Sequence, residues 1–300
     1  MKKYVIITDS CSDLEKKFRD ELDIMYAPNT YSYDGKTELA SLDWEGLSFK
    51  EFYDLMRNGT RIITSQVNAD EYRKIFQKAI DDGYDILNVC VSSGLSSSYN
   101  VCCKVRDELL EKYPDSKIIC VDTRMSSLGL SLLCIRAAEL RNEGYSIEET
   151  AKWIEEHKFS VRQEGTVEKL IYLKQAGRVS AASAFFGGLL NIKPIIISDI
   201  HGKNIAIEKV KGRRASFERI AERIQEAIID VPYQRILIGH ADCLDDANQL
   251  KEIILSKIPN KNVEIRISQI CQMIGASCGP GMMGVYYYGI EETYDSEAKK

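Results

Sequence analysis

Histidine is scarce in this chain of 300 residues: there are three, at positions 157, 201 and 240, far apart and without metal-ligand spacing beside any cysteine. No metal site is expected from them. Charge of one sign is also missing. The 40 lysines and arginines against 45 aspartates and glutamates leave −5, with 28% charged and 44% hydrophobic residues. Such a balance excludes a disordered chain and gives no basic surface for nucleic acid. No Gly-x-x-x-x-Gly-Lys-Ser/Thr run and no Gly-x-Gly-x-x-Gly after a strand occurs, so nucleotide use has no motif behind it and no cofactor is expected. Long apolar runs are absent as well. Tyr4 to Ile7 turns polar at Thr8, too soon for a signal peptide. The longest uncharged stretch, Ile267 to Ile290, carries Gln269, Gln272, Pro280 and five glycines, unsuited to a bilayer helix, and reads as strand and loop. The expectation is a cytoplasmic protein without stable membrane insertion.

Cysteine is present in number, nine residues at 11, 90, 102, 103, 120, 134, 243, 271 and 278. An odd count, mostly within apolar runs and without an export signal, reads as reduced thiols in a core. Cys102-Cys103 lacks the Cys-x-x-Cys spacing and reads as packing rather than redox chemistry.

At about 150 residues per domain, the length gives two domains. In the first half short apolar runs alternate with helical patterns, the signature of βα units and a mainly parallel sheet. Tyr4 to Ile7, Ile86 to Val91 and Lys117 to Val121 are strands. Asn68 and Glu71 form a capping box before a helix that Gly83 ends; Ser96 to Glu111, Ser127 to Arg141 and Ser146 to His157 are further helices, the last opened by a Ser146–Glu149 box. Near residue 160 the pattern changes. Helices at 168–175, closed by Gly177, at 181–190, 215–229 and 244–255 then accompany strands at 194–197, 205–210, 235–238, 263–267 and 285–288. The fold expected is α/β in two domains: 1–160, Rossmann-like with a mainly parallel sheet, and 161–300, with a mixed sheet and a ligand between the two.

Hydroxyl side chains gather where strands hand over to helices: Thr8-Asp9-Ser10, Thr64-Ser65-Gln66 and Ser92 to Ser98. Ligands of open α/β sheets bind at these carboxyl ends. A helix starting near Ser96 presents unpaired N–H groups and a positive dipole end, suited to a carboxylate or a phosphate. Helix capping explains the same serines. Gly275 to Gly284, four glycines around Pro280, reads as a tight turn or as a ligand wall. Arg178 answers a helix C-terminus or stays free for an acidic partner. Gly94-Leu95-Ser96-Ser97-Ser98 approaches a nucleophile elbow, so a serine esterase using Ser96 or Ser93 with His240 is an alternative, as is a phosphate-sugar-binding subunit.

Several separated motifs resemble the bacterial DegV family of fatty-acid-binding proteins from about Tyr4 to Gly289. They are Thr8-Asp9-Ser10-Cys11-Ser12-Asp13-Leu14, Thr64-Ser65-Gln66, Ser92-Ser93-Gly94-Leu95-Ser96, Asp122-Thr123, Leu173 to Ser180 with Gly177-Arg178, Leu190-Asn191-Ile192-Lys193-Pro194 and Gly275 to Gly284. The resemblance implies two α/β domains holding a fatty acid such as palmitate between them, its carboxylate on Thr64 and Ser96. Ser93, Ser65, Ser277 and Gly275 stand close behind in that reading. It also implies a separate ATP-dependent fatty acid kinase that phosphorylates the bound acid, so that this chain is not itself an enzyme. Ser277 replaces the histidine of the family's Gly-rich segment; a hydroxyl donates a hydrogen bond but does not become cationic near neutral pH. Lys211 stands where an arginine is expected and supplies a point charge without the bidentate fork.

A sixteen-carbon tail at about 0.8 kcal/mol per CH₂ is worth on the order of 12 kcal/mol before the costs of binding, so the tail dominates affinity and the head sets orientation. Expected slot walls are Leu128, Leu132, Phe185, Phe186, Leu189, Ile192 and Met273. Arg178, Lys211, Arg213 and Arg214 are expected to face the kinase, with the chain itself a monomer.

Overall fold

The computed structural model describes residues 3–180 and 191–298. A four-stranded sheet, wholly parallel, runs in the order β2-β1-β6-β7, with β1 Tyr4–Asp9, β2 Ile24–Ala27, β6 Asp85–Cys90 and β7 Ile118–Asp122. Every residue of β1 and β6 is buried, as a parallel sheet covered on both faces requires. Alternation assigns the faces. Val5 and Ile7 pack with Tyr72 and Phe76 of α3 (Ala69–Asp81) and Val105 and Leu109 of α4 (Ser98–Lys112). Tyr4 and Ile6 point the other way, into the core shared by α5 (Ser127–Asn142) and α6 (Ile147–His157). Asn68 caps α3 by accepting from Asp70 N at 3.1 Å, without the expected reciprocal bond from Glu71. The Ser146–Glu149 box opens α6 as expected.

The second sheet is mixed, seven strands in the order β13-β12-β14-β8-β10-β11-β9. These are β8 Val161–Thr166, β9 Val179–Ser180, β10 Ile192–Ser198, β11 Asn204–Lys211, β12 Arg235–His240, β13 Glu264–Gln269 and β14 Met283–Tyr288. One face is covered by α8 (Arg213–Ala227) and α9 (Leu244–Lys257). The other receives α5: Leu128 and Leu132 share a core with Leu237, Tyr286 and Tyr288, and Tyr288 Oη donates to the Leu132 carbonyl at 3.1 Å. Twelve of the sixteen residues of α5 are buried. A helix apolar on all sides is stable only when enclosed, and α5 is the shared core between the two sheets.

A small antiparallel sheet, β4-β3-β5 (Lys36–Leu39, Thr30–Tyr33, Ile63–Ser65), and helices α1 (Lys16–Leu22) and α2 (Phe49–Arg57) fill residues where no element was expected. Two further segments differ from expectation. Residues 161–166 are a strand in spite of Arg162-Gln163-Glu164, because Glu164, fully buried, pairs with Arg223 of α8 at 2.7 Å. Within 267–290, read as strand and loop, Gln272–Cys278 forms α10. The helix expected at 181–190 lies outside the described residues. Among those described, no helix is long and apolar enough to cross a membrane.

Candidate functional site

A cavity of about 330 Å³ opens between the small sheet, the loops that follow β1 and β6, and the seven-stranded sheet, within the range of roughly 300–1,000 Å³ found for small-molecule sites. Thr64 and Ser65 on β5, Ser93 to Ser97 in the loop after β6, and Ser277 on α10 line it, together with Arg178. The apolar wall comes from Val91, Val167, Ile196, Met273, Met282 and Tyr286. A smaller recess of about 110 Å³ shares Thr64, Arg178 and Ser277. Thr64 reaches this position because β5 pairs with β3, Thr64 opposite Tyr31. It lies in a strand of the small sheet, and the chain passes from that strand into α3, the expected strand-to-helix handover.

The serine loop is held from behind. Ser93 N donates to Asp122 Oδ1 at 3.1 Å, Gly94 N to Ser92 Oγ at 3.1 Å, and Leu95 and Ser96 N both to the Ser92 carbonyl at 3.0 and 3.1 Å. These N–H groups are therefore spent inside the loop, contrary to the expectation that they are free for an anion. The helix itself starts at Ser98, and Ser96 Oγ accepts from Ser98 N at 3.2 Å. What the loop offers the cavity is hydroxyls. Ser96 and Ser98 hydroxyls are 2.9 Å apart, and Ser98 Oγ accepts from Val67 N at 3.1 Å. Arg124 donates from its Nη1 to Ser93 Oγ at 3.1 Å and to the His201 carbonyl at 3.2 Å, while Ser92 Oγ donates to the Gly202 carbonyl at 2.7 Å. The loop thus docks on the β10–β11 hairpin, and it comes so close that a Cβ on Gly94 would lie 2.6 Å from the His201 carbonyl oxygen.

The Thr8-Asp9-Ser10 group has a different task. Asp9 accepts from Cys11 N at 2.8 Å and from Val91 N at 3.0 Å, tying β1 to β6. Asp13, left-handed at φ 54°, accepts from Cys271 N at 2.7 Å and Ser127 Oγ at 2.5 Å, so one buried carboxyl joins the first sheet's loop to the starts of α5 and α10. Burial raises the Asp13 carboxyl to about 6. Of this end, Cys11 alone among residues 8–13 lines the cavity.

Other expectations move. Gly275 is absent from the cavity wall: its Cα faces Tyr53, where an added Cβ would stand 2.4 Å from the hydroxyl, and Tyr53 donates to the Ile270 carbonyl at 2.7 Å. Ser277 does line the cavity, with its hydroxyl turned to the Met273 carbonyl at 3.4 Å. Of the expected slot walls Met273 lines it; Leu128 and Leu132 belong to the α5 core, Ile192 lies half-buried against that core, and Phe185, Phe186 and Leu189 lie outside the described residues. Arg178 lines both hollows and donates to the Ala176 carbonyl, so it answers the end of α7 (Leu170–Ala176) and borders the cavity at once. Arg213 does not face outward. It pairs with Asp246 at 2.8 Å and lies 4.8 Å over the Phe217 ring, whereas Lys211 and Arg214 are exposed.

His240 is buried rather than at the surface, its Nδ1 accepting from Cys243 N at 3.2 Å and its ring edge-on to Phe49 at 5.6 Å. Burial lowers its pKa. It is absent from the wall that carries Ser93 and Ser96, which leaves those serines without their expected base.

Sequence reasoning missed Thr166, at the end of β8. It is fully buried in the cavity wall and its hydroxyl has no hydrogen-bond partner among the described residues. An unpaired buried hydroxyl costs about 1–3 kcal/mol unless a bound molecule answers it, so Thr166 is a further candidate donor. The signal was a threonine closing a polar segment, with nothing in the segment to announce a central strand.

The model of the DegV family, described as one of uncharacterised proteins, matches residues 3–289. A DegV domain-containing protein of Clostridium perfringens is 39% identical over 96% of this chain and 98% of that one. The structure of a DegV lipid-binding protein from Thermotoga maritima is similar at a TM-score of 0.85, with 26% identity over 97% of this chain and 100% of that one. That of DegV, a fatty-acid-binding protein from Bacillus subtilis, follows at 0.81, with 26% identity over 96% and 100%.

Proposed function

The chain belongs to the DegV family, and from that premise we propose that it binds one long-chain fatty acid in the 330 Å³ cavity, carboxylate on Thr64 and Ser96. The observation that carries the reading is that Thr64 and Ser96, distant in sequence, stand in the wall of one cavity whose remaining lining includes apolar side chains from several elements. Relatives of the same fold, in Thermotoga maritima and Bacillus subtilis, bind lipid or fatty acid.

The hydrogen bonds around Ser96 favour donation to an anion. Ser98 Oγ accepts from Val67 N and Ser96 Oγ accepts from Ser98 N; in the 2.9 Å contact between the two hydroxyls either can donate, and an anion in the cavity selects the arrangement in which Ser98 does. The Ser96 hydroxyl proton is then the one left to point into the cavity. Ser93 behaves alike: Arg124 fills its acceptor side and brings a positive charge behind the hydroxyl. Hydroxyls backed by a guanidinium meet one negative charge without a basic cluster. The apolar walls take the tail. Binding and presentation to a separate kinase, rather than turnover, is the role this arrangement serves, and of the four cations expected to meet such a partner Lys211 and Arg214 are exposed, Arg214 3.9 Å from Glu218, while Arg178 borders the cavity. Arg213 is withdrawn from that set by its ion pair with Asp246.

The test is titration of delipidated protein with palmitate. A hydrogen bond to a charged group is worth about 1.5–3 kcal/mol, so Thr64→Ala and Ser96→Ala are each expected to weaken binding roughly 10- to 100-fold. Acyl-phosphate formation with the kinase and ATP falls in parallel. Unchanged affinity in both variants would remove the head-group assignment.

A further inference from the structure

Without any Cys-x-x-Cys spacing, the fold gathers thiols that the sequence scatters. Cys102 and Cys103 on α4 and Cys120 on β7 place their three sulfurs within 4.8 Å of one another. Cys90, on the neighbouring strand β6, has its sulfur 3.3 Å from that of Cys102 and accepts from Asn88 Nδ2 at 2.8 Å. All nine cysteines are free thiols. Cys102 and Cys120 are buried while Cys103 is half-buried, which gives the trio a path to solvent. We propose that Cys102, Cys103 and Cys120 form a three-thiolate site for one soft metal ion of the monovalent copper class.

A metal–sulfur distance of about 2.3 Å puts the sulfurs of a planar three-coordinate site roughly 4.0 Å apart. The thiols need to move by less than an ångström to close on an ion. Thiolates select soft ions, copper(I) and zinc first among them. Zinc in a structural site wants four ligands, and no histidine or carboxylate joins this cluster among the described residues. Three-coordination suits copper(I). Entry of the ion breaks three S–H bonds and forms three metal–sulfur bonds, and three protons leave to solvent. The site then carries −2, which the Arg106 guanidinium, close enough for its charge to act on both Cys103 and Cys120, offsets in part. Cys90 stays a neutral thiol that holds Cys102 by S–H···S contact.

Copper(I), buffered by a chromophoric chelator under anaerobic conditions, is the probe, applied to the full chain. One ion per chain is expected, with X-ray absorption showing three sulfurs around it. Cys103→Ser, at the half-buried position, is expected to lower affinity by more than the roughly 10- to 100-fold typical of an outer-shell change, with Cys120→Ser behaving the same and Cys243→Ser remaining as the parent. Copper-induced thermal stabilisation of the parent and its loss in Cys103→Ser give a readout that does not depend on fatty acid. Absence of binding, binding unaffected by Cys103→Ser, or preferential zinc binding with four sulfurs including Cys90 each overturns the proposal.

Discussion

Gly94 shows how tightly single atoms control the site. Its backbone lies against the β10–β11 turn, and a Cβ there would stand 2.6 Å from the His201 carbonyl oxygen and 3.0 Å from that of Gly202. Since both neighbours are backbone, the loop itself must move. Gly94→Ala is expected to destabilise the protein by about 1–3 kcal/mol and to weaken fatty-acid binding, because Ser93 and Ser96 move with it; denaturant melts and titration measure the two effects. Asp13 makes a prediction in pH. Its folded carboxyl sits at about 6 against an ordinary 3.8, owing to burial. A raised carboxyl favours the folded state fully below about pH 4, and that contribution, on the order of 3 kcal/mol, is lost as pH rises through 6. Asp13→Asn is therefore expected to remove a downward slope of stability between pH 4 and 6; identical slopes in variant and parent would contradict this. At this scale the sequence was partly legible. Thr64, Ser93 and Ser96 stood out as hydroxyls in loops and strand ends, and all three line the cavity. Thr166 did not stand out, since one threonine carries no periodicity, and Gly275 stood out for a reason the structure assigns to Tyr53.

Elements follow the same division between local and tertiary causes. Helices α3, α4 and α6 carry a polar face and were readable from apolar spacing and caps, as were β1, β6 and β7 from their buried runs. The strands β3, β4 and β5, of three or four residues each, are too short to show a period. The strand β8 was hidden by its charges. Glu164 is fully buried in it, raised to about 7 by burial against the attraction of Arg223 and Arg162. Removing one partner of a buried pair costs about 3–5 kcal/mol, and Arg223→Met is expected to cost that much at pH 8. Without the guanidinium the Glu164 carboxyl moves higher still, so the variant regains stability below it as the group protonates. Melts at pH 8 and pH 5 check this: the deficit should shrink at pH 5, and a deficit independent of pH would assign the loss to packing instead.

For the whole molecule, a cavity enclosed from two sides requires two sheets and something rigid between them, which α5 supplies by packing against both. The expected pair of sheets, one parallel and one mixed, is present, and alternating strand and helix patterns made it readable. The cavity was not readable, because an apolar side chain in a sequence gives no sign of whether it meets another side chain or a ligand. Leu128 and Leu132 were expected at a tail and instead fill the core of α5. Charge tells a similar story: in the proposed reading a chain at −5 meets an anion without basic excess, using hydroxyls beside Arg124 and Ser98. Native mass spectrometry of the protein as purified addresses the central claim most directly. A single adduct with the mass of a long-chain fatty acid, lost on delipidation and restored by palmitate, is the predicted result; an adduct with the mass of a sugar phosphate, or no uptake of palmitate by the delipidated chain, would contradict it.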